Sequence, residues 1–540
     1  MKQRKKLLLI LTGLGAIIIL IYSLQQFMNE GPVSEGSETA GSETGIRETG
    51  KPLAERHCSG CHLFPEADLL DKRIWMTQTL PAMGPYLGIK EFNGEEYTLD
   101  VTPGLPENFY PEEALIDSAA WQKILDYYAS EAPERLTFPQ PEPEIVQEDL
   151  FFRVRRPAYR VTANPMASAV RFDPANQLIY LADATVEKLL VYNRELEIIS
   201  SFDIPSPISD IRFTGNPVAK GVRDLLLTHI GNIAPSDERD GSVLKGWYDP
   251  DTGDGDFTTV IIDNIRRPVE TIPADLDQDG RKDLLISEFG HRRGSLFWLR
   301  STADGYDPEK KVLIDTPGCM QSHVTDFTLN GSPDVLALCS QVDQAIWLFE
   351  NNGDGTFNRK TLLRFPVTAG SSSFELADFN DDGHEDIIYT SGDNADYSIS
   401  YKPYHGVYIY INDRNGNFSK EWFYPVNGAY SAKARDFTGN GSLDIALISF
   451  FADYAAKPQE GFVFFRNNGD LTFTAHHPQR ASYGRWITMD VADWSGNGAE
   501  DIVLANFSRG PTKVLPQIEA ILTQSPHLLL LENLSGEDLD

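Results

Sequence analysis

A chain of 540 residues exceeds what one hydrophobic core supports, and its 42 glycines, 33 prolines and 11% aromatics favour a turn-rich β protein over a helical bundle. A formal charge of −32, from 79 acidic and 47 basic residues, sets the folded part against nucleic acid and anionic lipid surfaces. The same surplus admits two readings, a solubilising surface or a store of metal ligands.

The first element is the uncharged run "LLLILTGLGAIIILIYSL", Leu7 to Leu24, behind Lys2, Arg4, Lys5 and Lys6. It is near the roughly 20 apolar residues that span a bilayer, and the basic flank stays cytoplasmic. Residues 1–24 therefore read as a membrane anchor, with everything downstream on the periplasmic or extracytoplasmic side. A cleaved signal peptide is the competing reading, though neither a small-x-small site nor a lipobox cysteine stands out. Residues 25–44, rich in Gly, Ser, Glu and Thr with "GSET" twice, read as a flexible tether.

Residues 45–136 read as a small α domain. Its last helix, in "DSAAWQKILDYYASEAPERL", places Trp121, Ile124, Leu125 and Tyr128 on one face, with Asp117 or Ser118 as cap and Pro133 as stop. Its first holds "CSGCH". The C-x-x-C-H spacing of Cys58, Cys61 and His62 is that of covalent haem attachment, two thioethers to one porphyrin with the imidazole turned to the iron. A redox pair lacks its βαβ context, zinc held by His57, Cys58, Cys61 and His62 would be cramped, and a disulfide at this spacing would be strained. The segment resembles a class I cytochrome c domain. That resemblance implies one haem c, His62 as proximal ligand, electron transfer by the iron and a redox partner protein. It also implies a distal methionine. Met83, in "LPAMGPYLGI", is the candidate, on a loop between proline and glycine, whereas Met76 reads as helical core. Only about 20 residues separate His62 from Met83, fewer than is usual, so five-coordinate or differently ligated haem stays open.

Residues 137–149, "TFPQPEPEIVQED" and its flank, read as a stiff proline-rich linker. From 150 to 540 a unit recurs: "ADLDQDGRKDLLISEFG" at 274–290, with relatives from Thr325, Ala377, Arg435 and Ala492 and worn copies from Val170 and Ser209. In step runs an aromatic strand into an Asn/Gly turn, as in "WLFENNGDGTF", "YIYINDRNGNF" and "VFFRNNGDLTF". Four antiparallel strands per unit, seven units, predict a seven-bladed β-propeller. The last unit lacks a fourth strand, and Phe151 to Arg155 is the spare strand that would latch the ring.

In "DLDQDGRKD", Asp275, Asp277, Asp279 and Asp283 stand at offsets 1, 3, 5 and 9, with the Arg281 carbonyl as a further oxygen. Hard ligands so spaced can wrap one Ca²⁺, although Ile286 stands where an EF-hand needs glutamate. Asp378, Asn380, Asp382 and Asp386 make a second strong set. Weaker sets are Asp436, Asn440 and Asp444, then Asp493, Asn497 and Asp501, and the Asp326, Thr328, Asn330, Asp334 loop. Side-chain-to-backbone turns are the alternative use of the same residues. The pattern over 150–540 resembles FG-GAP/VCBS repeats, known from integrin α-subunit propellers, which implies structural calcium. Cys319 and Cys339 flank one such loop and are candidates for a disulfide.

The opposite loops gather His291, Arg292, Arg293, Tyr397, Tyr401, Tyr404, His405, Arg509 and Lys513, with Tyr430, Tyr483 and Arg485 at strand entries. That rim reads as a receiver for an anionic or saccharide ligand, or for the haem domain itself, and no catalytic residue is assigned. The expectation is a membrane-anchored c-type cytochrome whose calcium-stabilised propeller selects a partner, an electron carrier ahead of a substrate-converting enzyme. The alternatives are a propeller oxidoreductase or lyase on a saccharide-like substrate, passing electrons to haem, and an adhesive surface-binding protein.

Overall fold

The computed structural model describes residues 43–99, 102–159, 161–215, 219–393, 396, 400–510, 512 and 514–536. The expected anchor, most of the tether, Tyr397 and Lys513 lie outside the described residues. Among those described, no helix is long and apolar enough to cross a membrane.

Two helices frame the α region. Glu43–Cys58 begins inside the segment expected to be tether, and Ser118–Glu131 is capped by Asp117, whose carboxylate accepts from Ala120 N at 2.7 Å. The Asp117 cap satisfies an otherwise orphan amide and fixes where the helix starts. Trp121, Ile124, Leu125 and Tyr128 are buried, as their spacing requires, and pack with Trp75, Leu80 and Ile116. The two helices meet at Gly50, where an added Cβ would lie 2.6 Å from Lys123 O and 2.7 Å from Tyr127 Cβ. Only glycine permits that approach.

Seven four-stranded antiparallel sheets follow in chain order: 167–203, 208–265, 268–314, 319–364, 371–425, 431–477 and 486–533, blades one to seven. Second strands such as Asp283–Glu288, Asp334–Cys339 and Asp386–Ser391 are buried at every position. Neighbouring blades cover both their faces, which is why they read as near-continuous apolar runs. Fourth strands such as Phe357–Arg364 lie at the outer rim and are largely exposed.

The ring is latched. Phe152–Arg155 pairs antiparallel with Leu528–Asn533, Phe152 opposite Asn533 and Arg155 opposite Leu530. Arg153 Nε donates to Glu532 Oε2 at 2.8 Å across the seam. The segment expected to be linker does more than connect: Ile145–Gln147 adds to blade six as a fifth strand, parallel to Phe473–His477. Its apolar pair, Ile145 and Val146, finds an edge to pair with, which outweighs the surrounding prolines.

First strands are stitched blade to blade. Asp490 accepts from Phe172 N at 2.8 Å, Glu270 from Ser322 N at 2.7 Å, and Glu375 from Ala434 N at 3.1 Å. Gln321 does the same for Phe374 N at 3.1 Å. Each polar side chain thus satisfies an inner-strand amide of the next blade, which no sheet ladder could reach.

Candidate functional site

The acidic loops join first to second strands on one face of the ring. Their offsets recur as a fixed hydrogen-bond pattern. The first aspartate takes the amides four and five residues on: Asp275 from Asp279 N and Gly280 N at 3.0 and 2.9 Å, Asp378 from Asp382 N and Gly383 N at 3.1 and 2.7 Å. Asp326, Asp436 and Asp493 repeat it. The glycine at offset six adopts a positive φ, 86° at Gly280 and 82° at Gly383, which explains its recurrence.

The aspartate at offset nine is a strut. Asp283 accepts from Leu276 N at 2.9 Å with one oxygen and from Ser301 N at 2.7 Å with the other. Asp386 holds Phe379 N and Asn412 N, Asp444 holds Thr438 N and Asn467 N, and Asp501 holds Ser495 N and Asn533 N, all within 3.0 Å. Each ties a loop to its blade's third strand. Burial raises the carboxyls of Asp283, Asp386 and Asp501 above the usual range and carries Asp444 to about 6.

The loops differ at offsets three and five. In three of them asparagine completes the loop by amide donation: Asn330 Nδ2 to Asn351 O at 3.3 Å, Asn440 Nδ2 to Asn467 O at 3.5 Å, Asn497 Nδ2 to Asn533 O at 2.7 Å. Thr328 and Thr438 hydroxyls donate to the strut at 2.8 and 3.0 Å. In the two others a carboxylate stands there, and a cation meets it. Arg300 lies 2.5 Å from Asp277 and 3.3 Å from Asp279, and the Arg281 guanidinium also pairs with Asp279. Arg414 lies 2.9 Å from Asp382. Among the described residues, the carboxylate oxygens of Asp275, Asp277 and Asp283 converge within 4.8 Å of one another. That donor set, all hard oxygen, fits a Ca²⁺ ion. Asn380 takes the third offset of the other loop, its amide oxygen accepting from Asp382 N at 3.1 Å.

Sequence reasoning missed the role of the asparagine that ends four third strands, Asn351, Asn412, Asn467 and Asn533. Asn351 Nδ2 donates to Leu276 O at 2.9 Å in the preceding blade, and Asn533 Nδ2 to Phe437 O at 2.8 Å. The signal was present: "ENNG", "INDR", "RNNG" and "ENLS" all carry it. Asp173 in the first worn copy pairs instead with buried Arg223, 2.6 Å away in the next blade. Cys319 and Cys339, directly opposed on adjacent strands of blade four, are joined by a disulfide.

Cys58 closes its helix and Cys61 follows on an exposed turn, and both are free thiols. Burial pushes the Cys58 thiol up to about 11. That keeps Cys58 protonated, whereas a redox-active cysteine is marked by a lowered pKa. His62 Nδ1 lies 2.9 Å from Leu63 O, which places the proton there and leaves Nε2 to coordinate. Burial lowers the His62 pKa, favouring the neutral ring that serves as a ligand. Met83 does not lie on a loop: Pro81 at the first turn makes Leu80–Met83 a short α-helix running into the 3₁₀ turn Gly84–Leu87. Met76 lies in the π-helical turn Trp75–Thr79 and packs against the core, while Met83 is half-buried outside that cluster.

Part of the rim of basic and aromatic residues is used internally, while Arg293, Tyr483 and Arg509 stay exposed. His291, His405 and Arg485 are buried. His291 Nδ1 and Arg267 both meet Asp396, at 3.3 and 2.7 Å, and Arg485 stacks on Phe450 and Tyr454. Tyr430 packs on Phe450 and Phe451, and Tyr401 OH reaches Ala452 O at 3.5 Å. Two rim residues receive the α domain: Tyr404 OH donates to Leu69 O at 3.0 Å, and the Arg292 guanidinium lies 5.6 Å over the Tyr86 ring. Asp237 N donates to Pro103 O at 2.8 Å beside Gly104, whose added Cβ would strike Asp237. Ser482 Oγ lies 2.7 Å from His477 Nε2, a pair no sequence reading singled out. It fastens the turn Gln479–Tyr483 to the strand carrying Phe462, whose carbonyl meets Nδ1 at 2.8 Å.

Residues 326–389 match the FG-GAP-like repeat family. No curated protein matches the chain. Similar solved structures include an inactive virginiamycin B lyase from Staphylococcus aureus crystallised with quinupristin, at 12% identity and a TM-score of 0.41, over 66% of this chain and 96% of that one. The N-terminal domain of Nup159 is similar at 11% identity and 0.41, over 73% and 98%. A streptogramin B lyase follows at 14% and 0.41, over 66% and 95%. The chain thus contains an FG-GAP-like repeat within a seven-bladed propeller.

Proposed function

We propose that this chain is an extracytoplasmic c-type cytochrome, held at the membrane by residues 1–24, that carries electrons through one covalent haem while its propeller recognises the partner. The observation that carries this reading is the segment 58–62: two free thiols and an imidazole at and just beyond a helix end, the imidazole held through Nδ1. Bound haem would supply one-electron chemistry at an iron held by His62. The protein's own part is to position it. Cys58 and Cys61 would fix the porphyrin, the Leu63 carbonyl would orient His62, and Met83 is the proposed distal ligand. The close crossing at Gly50 supports a rigid frame, since it brings the helix that carries Cys58 against Ser118–Glu131.

Calcium would be held by Asp275, Asp277 and Asp283, where it would neutralise convergent carboxylates and stiffen the first hairpin of blade three. The loop of Asp378, Asn380, Asp382 and Asp386 is the second proposed site. Expression with the cytochrome c assembly machinery tests the central claim. Haem absorbance should persist through denaturation and be lost as a normal two-thioether spectrum in Cys58→Ala. Properly matured material that is colourless overturns it.

A further inference from the structure

A groove of about 350 Å³ opens at the outer seam between blades three and four. Blade three supplies Trp298 from its third strand, Ser295–Leu299, and Lys311 and Val312 from its fourth, Lys311–Ile314. Blade four supplies Phe349, Phe357 and Arg359 from its last two strands, Ala345–Asn351 and Phe357–Arg364. The floor is apolar: Trp298 and Phe349 are buried and belong to the cluster that joins the two blades. At the lip Val312 is 52% exposed, an aliphatic side chain left uncovered. The hairpin turn of blade four closes one end. Gly355 there has a φ of 78°, and an added Cβ would lie 3.0 Å from the Trp298 ring and 3.1 Å from Asp277 Cβ. Thr356 beside it commits its hydroxyl and its amide to Asp354, at 2.6 and 3.0 Å.

The cations around this floor are unequal. Lys310 pairs with Glu288 at 3.4 Å, Lys311 with Glu309 at 2.9 Å, Lys360 with Glu350 at 2.6 Å and Arg364 with Asp343 at 2.7 Å. Arg359 has neither a carboxylate nor a hydrogen bond among the described residues, in a chain whose formal charge is −32. It stands opposite Phe349 in the strand ladder, and its guanidinium lies 5.0 Å over the Trp347 ring, a contact that leaves the N–H donors free. Trp347 Nε1 is itself buried without an acceptor. Two donor groups without acceptors therefore meet at the edge of an aromatic floor.

We propose that this groove binds a small amphipathic carboxylate, with the apolar body on Trp298 and Phe349 and the carboxylate on Arg359. A guanidinium meets a carboxylate through two parallel hydrogen bonds, and the apolar surface beside it keeps water from the pair. An apolar lining with one convergent charged group is the composition of a small-ligand site. A cationic or uncharged ligand with the same body would leave Arg359 unmet. The proposal stands apart from the haem reading and needs neither thiol.

The experiment titrates the full chain with 4-phenylbutyrate by calorimetry, beside 4-phenylbutylamine and 4-phenylbutanol, which share its body. The carboxylate should bind one to one, and the amine and the alcohol about tenfold more weakly or worse. Arg359→Gln should weaken the carboxylate about tenfold, as expected for a lost charge-assisted hydrogen bond, and leave the alcohol unchanged. Arg359 is exposed, so the variant should melt like wild type. Hydrogen exchange at 311–313 and 355–359 should slow when the carboxylate binds. No binding by the carboxylate, equal binding by all three probes, unchanged affinity in Arg359→Gln, or slowing confined to another surface overturns the proposal. A concentration-dependent dimer in sedimentation that Arg359→Gln abolishes would assign the groove to a second copy of the chain, and the small-ligand assignment falls.

Discussion

The loop at 275–283 and the loop at 436–444 share a backbone path and a strut, yet they solve the problem of clustered oxygens differently. Where asparagine and threonine stand at the variable offsets, the loop closes on itself: Asn440 donates to Asn467 O and Thr438 to Asp444. Where aspartates stand, the loop's own donors, Asp279 N and Arg281, are joined from outside by Arg300, which meets Asp277 and Asp279. One loop is complete without a cation and the other is not. A repeat can therefore keep its shape while its partners change from outside cations to its own amides, one carboxylate-to-amide exchange at a time.

The largest expected effect ignores the difference. Asp444→Ala and Asp283→Ala each strand two buried backbone amides, at about 2–5 kcal/mol by denaturant titration. Equal losses in both loop types confirm a shared strut, and a loss confined to Asp283 would assign that residue to metal alone. Next is the acid limb, which should leave the loop comparison untouched. Burial lowers His323 to about 4, so the unfolded chain binds its proton first as pH falls. Stability from this group is intact above about pH 6.5 and falls by about 3 kcal/mol toward pH 4, and His323→Phe should flatten that limb of the melting curve. Third, chelation should cost about 2.7 kcal/mol for each site held at a hundredfold excess of calcium over Kd, read as a drop in melting temperature. Asp277→Asn with Asp279→Asn should remove blade three's share of that response, while Asn440→Asp should not lessen it. The smallest is Asn330→Ala, about 1 kcal/mol from one lost hydrogen bond and no change in calcium response.

The ring was legible because its period is written in local spacing. Offsets 1, 5, 6 and 9 lie within one turn and one strand entry, so the Asp275 loop can be read without knowing what surrounds it. Asn351 and Asn533 were not legible in function, because their acceptors, Leu276 and Phe437, lie 75 and 96 residues away. The rim was legible only as composition. Its tyrosines, histidines and arginines are a composition typical of binding faces, but here Arg485 is taken up in aromatic stacking and Tyr404 in seating the α domain. Met83 looked like a loop residue because proline and glycine flank it, yet proline at a first turn favours a helix.

The latch at Phe152–Arg155 sets an order of events. Its partner strand comes 379 residues later for the pair Arg153 and Glu532, so the seam is the most remote contact of its kind and the last to be made during synthesis. Until then blade seven has no outer strand and the ring has no fixed diameter. Any factor that holds the chain before then meets a wheel that is still open, with the edge of Leu528–Asn533 unpaired.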